Sequence, residues 1–309
     1  MKKNMINSVH IEGVLYSHNL EAKVTGENSK APGTPYVAGT IDIATDDAQT
    51  NVVSVHFTYV TPTYAKSGKA NPNYQILMDI INGKTKSVTA NGEGAKLRID
   101  SVIALNEFYS DRNGEEELVS VKRNEGGFIH VVTQLDADEK KRNTFTADMV
   151  ITGVTHVDAD EERGLPEKVN VRGCIFDFRN ALLPVEFSAT SQGAINYFEG
   201  LGVSSKNPVF TKVWGRELST TIVRTIREES AFDEANVREI NSTRKDFVIT
   251  GALTDPYEWD DDSTITAAEL TKAMTDRQTY LAALKKRQDD YKASQGGGSN
   301  EPKKGGFDF

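Results

Sequence analysis

The chain has 309 residues, with 36 Lys and Arg against 45 Asp and Glu, a net charge of −9 and a pI near 5.2. Its 38% hydrophobic and 26% charged content fits an ordinary soluble globular chain of about two domains. No apolar run is long enough to cross a bilayer, the N-terminus has no apolar signal core, and the lone Cys174 cannot close an internal disulfide. The expected setting is therefore the cytoplasm, with no membrane partner.

Residues 5–16 alternate well enough for a first strand, with Gly13 at a bulge or bend. Residues 25–35 are rich in turn formers. Residues 36–44 and 51–60 read as strands separated by Asp46 and Asp47. The loop at 61–73 carries Tyr64, Lys66 and Lys69. A short helix follows: Asn71 suits the N-cap and Pro72 the first helical position, and Tyr74, Leu77, Met78 and Ile81 fall at helical spacing before Gly83. Residues 95–109 form a further strand, and 118–132 a hairpin around Asn124, Glu125, Gly126 and Gly127.

The same order recurs. Strands are expected at 148–157, 168–178 and 181–190, a short helix capped by Ser191 at 191–201, and strands at 209–218 and 247–253. Residues 220–244 form a connection that reads equally as helix or hairpin. Four blocks match between the two passes. Residues 37–43 resemble 171–177, 134 apart (171 − 37), and 52–57 resemble 182–187, 130 apart (182 − 52). Residues 11–14 resemble 151–154, 140 apart (151 − 11), and 96–98 resemble 212–214, 116 apart (212 − 96). Matching blocks in one order with drifting offsets indicate a tandem repeat with loops of unequal length.

Three strands, a helix and two strands describe a five-stranded Greek-key barrel, the OB-fold. The expected architecture is all-β dominated: one barrel at 1–140, a second at 141–255, an acidic linker at 256–263, a helix at 264–294 and a disordered glycine-rich tail at 295–309. Thr266 and Glu269 have capping-box spacing, and Leu270, Met274, Leu281 and Leu284 give the helix a thin apolar stripe.

Catalytic signals are nearly absent. Residues 92–97 lack the spacing of a phosphate loop. The five histidines, His10, His18, His56, His130 and His156, show no paired spacing for zinc. No cofactor, metal or enzymatic activity is expected. Binding signals are stronger, because single strands are held by a basic groove with aromatic faces on which bases stack. An acidic chain can own such a groove, since attraction follows the local field. Basic runs occur at 96–98, 122–123 and 140–142 and at Arg224 with Arg227.

OB-folds bind along strands two and three. The candidates in the second repeat are Arg172, Phe176, Phe178 and Arg179, with Lys212, Trp214 and Arg216 on strand four. In the first repeat they are Tyr59, Tyr64, Lys66, Lys69, Arg98, Tyr109 and Arg112. Each is open between core packing, an idle surface role and contact with nucleic acid. Phe176 and Phe178 share one strand face while Val169, Val171 and Ile175 favour the other, so one set lies outside the barrel or in a dimer contact.

The linker Gly296-Gly297-Gly298-Ser299, the tip Gly305-Gly306-Phe307-Asp308-Phe309 and the strand Val213-Trp214-Gly215-Arg216-Glu217 resemble the bacterial and phage single-stranded DNA-binding proteins. The resemblance covers the order of elements and the tail. The tip departs from the family pattern, with one aspartate, Asp308, and Lys303 and Lys304 nearby, while the denser acids sit at 258–262. The resemblance implies sequence-independent binding of single-stranded DNA in phage or mobile-element replication or recombination. It also implies that Phe307, Asp308 and Phe309 recruit replication or recombination proteins. The rival readings are an OB-fold protein–protein or virion module and an acidic DNA mimic.

Overall fold

Strands with alternating buried and exposed side chains fold here into two closed barrels joined edge to edge. A computed structural model describes residues 5–27, 29–112, 115–161, 164–228, 236–259 and 265–296. The first barrel uses β1 (Asn7–His18), β3 (Pro35–Ala44), β4 (Val52–Val60), β5 (Lys96–Arg112) and β6 (Glu115–Val131). A short β2 (Glu21–Val24), absent from the sequence reading, pairs with β3. The helix α1 (Pro72–Ile81) lies between β4 and β5, followed by one turn, α2 (Val88–Asn91). Asn71 caps α1 as expected, its side chain accepting from the Asn73 N–H at 3.2 Å.

The second barrel uses β7 (Asn143–Val157), β8 (Lys168–Phe176), β9 (Leu182–Ala189), β10 (Val209–Glu228) and β11 (Asn236–Ala252), with α3 (Gln192–Gly200) before β10. In each barrel the first strand pairs with the second and fourth, the third pairs in parallel with the fifth, and the fourth with the fifth. That closure is the OB topology twice over. The last helix is α4 (Ala267–Gly296). Among the described residues no helix is long and apolar enough to cross a membrane.

The barrels join where β1 runs antiparallel to β7, from Asn7 opposite Ala147 to Ile11 opposite Asn143. One apolar core runs through both, from Val9, Ile41 and Val55 to Phe145, Phe187 and Phe247. Matching register slips align the two halves. β1 slips at Leu15 against Ile43, and β7 at Ile151 against Gly173. The first strands are therefore 136 apart (151 − 15) and the second strands 130 apart (173 − 43). The fourth strands, kinked after Asp100 and Trp214, are 114 apart (214 − 100). The sequence alignment found the repeat with its first two blocks four residues out of register.

An asparagine pair supports the corrected register. Asn7 donates to the Ile103 carbonyl at 2.9 Å and accepts from its N–H at 3.0 Å. Its counterpart Asn143, 136 further on, donates to the carbonyl of Glu217, the counterpart of Ile103.

Two expectations change and one open stretch is decided. Asn124 to Gly127 is not a hairpin tip. It is a bulge inside β6, where Asp100 faces Phe128 but Val102 faces Glu125. Gly126 and Gly127 adopt φ of 61° and 111° there, values that favour glycine. The open stretch 220–244 is a hairpin, since Arg227 pairs with Val237. The helix stripe also differs. The capping box holds, with Thr266 N–H donating to Glu269 at 3.0 Å and Glu269 N–H to Thr266 Oγ1 at 3.2 Å. Met274, however, is exposed, and the inward positions are Leu270, Ala273, Arg277, Leu281, Leu284 and Gln288.

The root of α4 answers the question of the second face of β8. Val169, Val171 and Ile175 enter the main core, while Cys174 and Phe176 point outward into a second cluster. That cluster joins Val150, Phe210, Ile265 and Ala273, with Tyr257, Trp259 and Leu270 beside it. The outer face at Cys174 and Phe176 is thus covered by the chain's own C-terminal helix. Burial pushes the Cys174 thiol up to about 12, so it behaves as a small apolar side chain.

Candidate nucleic-acid interface

In both barrels strands four and five run on past the barrel as a two-stranded arm, β5–β6 and β10–β11. Each arm crosses to the other barrel. Lys122 on β6 donates to the carbonyl of Glu186 on β9. Lys245 on β11 donates to Ser54 Oγ on β4 at 2.7 Å. These contacts are counterparts. The parallel third–fifth pairing places His56 opposite Glu125 and Ser188 opposite Val248. This sets third strands 132 apart (188 − 56) and fifth strands 123 apart (248 − 125). Lys122 then corresponds to Lys245, and Ser54 to Glu186.

Between the arms lies a cleft of about 420 Å³ lined by Ser54, Val121, Lys122, Arg123, Lys245 and Phe247 among others. The Lys122 ammonium sits 5.4 and 5.5 Å from the Phe187 and Phe247 ring centres, within cation–π range. Glu217 forms part of the lining and accepts from Asn124 at 2.6 Å. Its burial raises its pKa, against the opposing effects of Asn124, Lys245 and Lys122.

The cleft continues onto the outer face of β3 and β4. Thr40 and His56 are 3.1 Å apart, Thr58 donates to Glu125, and Arg123 pairs with Glu125 at 2.7 Å. Burial, helped by Arg123, lowers the His56 pKa, so the ring is neutral at neutral pH. Tyr36 and Tyr59 stack with ring centres 4.7 Å apart. Along the first arm Val102, Ala104 and Phe108 share a face with their cross-strand partners, among them Arg123 opposite Ala104 and Val119 opposite Phe108. Val121, opposite Asn106, adds to this face. Phe108, Val121 and Val102 are exposed. Arg123, hydrogen-bonding groups and open aromatic faces therefore run together, the combination that holds a single strand, while Lys122, opposite Leu105, leaves the other face of the arm toward β9.

The sequence candidates separate into several places. Tyr59 belongs to this face, and Tyr64, Lys66 and Lys69 are exposed on the loop leaving β4. Arg98 is exposed on β5, opposite Glu12 and His130, on a strand bonded to neither β3 nor β4. Tyr109 is held by α4. The Arg112 side chain, residues 260–262 of the acidic linker, and Phe307, Asp308 and Phe309 lie outside the described residues.

Arg172 is exposed on β8, 3.3 Å from Thr155 and 3.9 Å from Glu186. Phe178 is 75% exposed on the turn after β8, with the Arg179 guanidinium 5.0 Å from its ring centre. Phe176 is corrected: it is fully buried under α4 and offers no face to a base. Lys212, Trp214 and Arg216 lie on β10, between β7 and β11 and away from β8 and β9. Trp214 lies over Gly251, where a Cβ would come within 2.4 Å of the indole.

Sequence reasoning missed Lys245, Tyr36 and the crossing of the arms. It saw Lys122 and Arg123 only as a basic run. The missing signal was the fifth-strand alignment, which places Lys122 on Lys245.

A second charged cluster ties the loop between β7 and β8. His156 lies 2.7 Å from Glu199, 3.1 Å from Glu167 and 3.5 Å from Asp158. Its pKa is raised above 6.5, first by the hydrogen bond to Glu199 and further by the three carboxylate charges. A raised folded value gives stabilisation that is complete below the unfolded pKa and lost as pH rises through the folded one. The Tm advantage of the wild type over His156→Gln should therefore be larger at about pH 5.5 than at about pH 8.5. An equal difference at both values would show that the cluster does not hold the loop.

The sequence profile of one family, described as YorF, matches residues 5–287. The chain belongs to the YorF family. No curated protein matches the sequence. Among solved structures the chain is similar to the wild-type single-stranded DNA binding protein from Thermus aquaticus, at 9% identity and a TM-score of 0.47. That alignment covers 85% of this chain and 98% of the other. A deletion variant of the same Thermus aquaticus protein gives 10% identity and a TM-score of 0.44 over 84% and 99% of the two chains.

Proposed function

We propose that this chain binds single-stranded DNA without base specificity, along the cleft between the two arms and the outer face of β3 and β4. The observation that carries the reading is the pair of counterpart lysines, Lys122 and Lys245, each projected from one barrel across the third strand of the other. Their ammonium groups suit phosphates, and Tyr36, Tyr59 and Phe108 suit bases. Trp214 with Lys212 and Arg216, and Phe178 with Arg179, are secondary contact points that extend the same proposal. Protection of single strands in phage or mobile-element replication or recombination, with the C-terminal tip recruiting partners, completes it.

The net charge of −9 favours a second reading, in which the acidic chain engages a DNA-binding protein in place of DNA. Titration of fluorescent oligo-dT at two salt concentrations, with a duplex of equal length alongside, decides between them. Three cations on phosphates, Lys122, Arg123 and Lys245, give a log–log salt slope of about −2 for a single strand. Equal affinity for duplex, or no slope, would overturn the cleft as a single-strand site.

A further inference from the structure

α4 has two unlike halves. Its root is apolar, with Ile265 and Ala273 buried against Val150, Phe176 and Phe210. Its distal half docks on the first arm through a face where charged and polar groups surround the half-buried Leu281 and Leu284. Arg277, Lys285, Gln288 and Lys292 fall within about 80° of one another at 100° per residue. Arg277 forms a two-pronged pair with Glu107, whose side chain is 2% exposed. Lys285 and Lys292 both reach Glu116 at 2.9 Å, and Lys292 also reaches Asp111 at 3.4 Å. Gln288 accepts from the Tyr109 N–H at 2.6 Å. Arg277, Lys285 and Lys292 meet side chains on one face of the arm, opposite to that of Val102, Ala104 and Phe108, since Glu107 and Asp111 alternate with those residues, while Gln288 bonds the Tyr109 backbone at the outer edge of β5.

A two-stranded ribbon is at best marginally stable alone in water. The first arm therefore needs backing, and among the described residues beyond its barrel that backing comes from α4 and from the Lys122 contact to β9. Exposed ion pairs are individually weak, so the turns carrying Lys285 and Lys292, beyond the buried Arg277–Glu107 pair, open more readily than the apolar root. We propose that Arg277, Lys285, Gln288 and Lys292 are positioning residues for the cleft. They form a latch that fixes the arm carrying Lys122 and Arg123, and the latch opens while the root of α4 stays docked. The inference rests on the cleft being the nucleic-acid site.

Glu116→Gln separates this from simple electrostatics. Removing a carboxylate near a site for polyanions raises affinity by charge alone, whereas loosening the latch lowers it. The expected result is faster amide exchange at residues 105–112 and 115–120 of the free protein, an unchanged Tm and about fivefold weaker oligo-dT binding, the factor that one exposed ion pair of about 1 kcal/mol carries. Glu116→Lys and Asp111→Lys combined with Lys285→Glu and Lys292→Glu, which reverse every partner of the two lysines on the arm, should restore slow exchange. Unchanged exchange, or tighter oligo-dT binding with Glu116→Gln, would overturn the latch. If the wild type binds no oligo-dT, the cleft reading fails, while exchange in the free protein still reports on whether α4 holds the arm.

Discussion

Replacing Lys122 and Lys245 together by glutamine is expected to weaken oligo-dT binding about a hundredfold. A hydrogen bond to a charged group contributes roughly 1.5–3 kcal/mol, and two at the lower figure make about two powers of ten. The log–log salt slope should become shallower by about 1.4, the share of two phosphates on a single strand. Because the two lysines are counterparts, each single variant should show about half of both effects. Lys122 also rests on Phe187 and Phe247, so Tm is measured in parallel. A double variant with wild-type affinity and slope would move the site off the cleft.

Phe176→Ala is expected to destabilise the fold by about 3–5 kcal/mol, the usual cost of truncating a fully buried phenylalanine. The loss falls at the junction of two elements, because the ring touches both the second barrel and the root of α4. Denaturant unfolding should show the midpoint fall, and the protein that remains folded should bind oligo-dT normally. Phe178→Ala, at an exposed turn, should leave stability within about 0.5 kcal/mol. A Phe176→Ala protein of normal stability and weakened binding would restore the ring as a stacking surface.

Much of the fold was legible because period-2 alternation and helix caps are local signals. Asn71 with Pro72, Ser191, and Thr266 with Glu269 each declared a helix start through chemistry confined to a few residues. The repeat was legible as an order of elements. Its register was not, because the slip at Leu15 changes which residues face each other without leaving a distinctive residue in the sequence, and the glycines at the other slips read equally as turns or bends. Gly126 and Gly127 carried a turn signal that a bulge shares.

The site was less legible than the fold. Phe176 looked like half of an aromatic pair with Phe178, but the strand ends between them, so one ring is buried and the other sits on a turn. The two lysines that define the cleft are 123 positions apart (245 − 122) and come together because each arm leaves its own barrel. Nothing local encodes that crossing. The apolar stripe read on α4 is only part of its inward face: Leu270, Leu281 and Leu284 face inward and Met274 does not, and Arg277 and Gln288 share that face because the distal half also docks on polar groups of the arm.

The near-twofold that relates the barrels is broken where it matters most. Lys122 and Lys245 match, but the groups they meet, Glu186 and Ser54, do not. Neither do Asn124 and Phe247, or Ile103 and Glu217, which occupy corresponding positions. Two identical subunits would present the same surface from either end and could not tell which way a strand ran. A polynucleotide has a 5′ and a 3′ end. A strand laid across this cleft in one sense meets Ser54 and Glu186 in a different order from one laid in the other. If the cleft holds a strand as proposed, two unlike halves in one chain give it a left and a right, and so a means of sensing the direction of that strand.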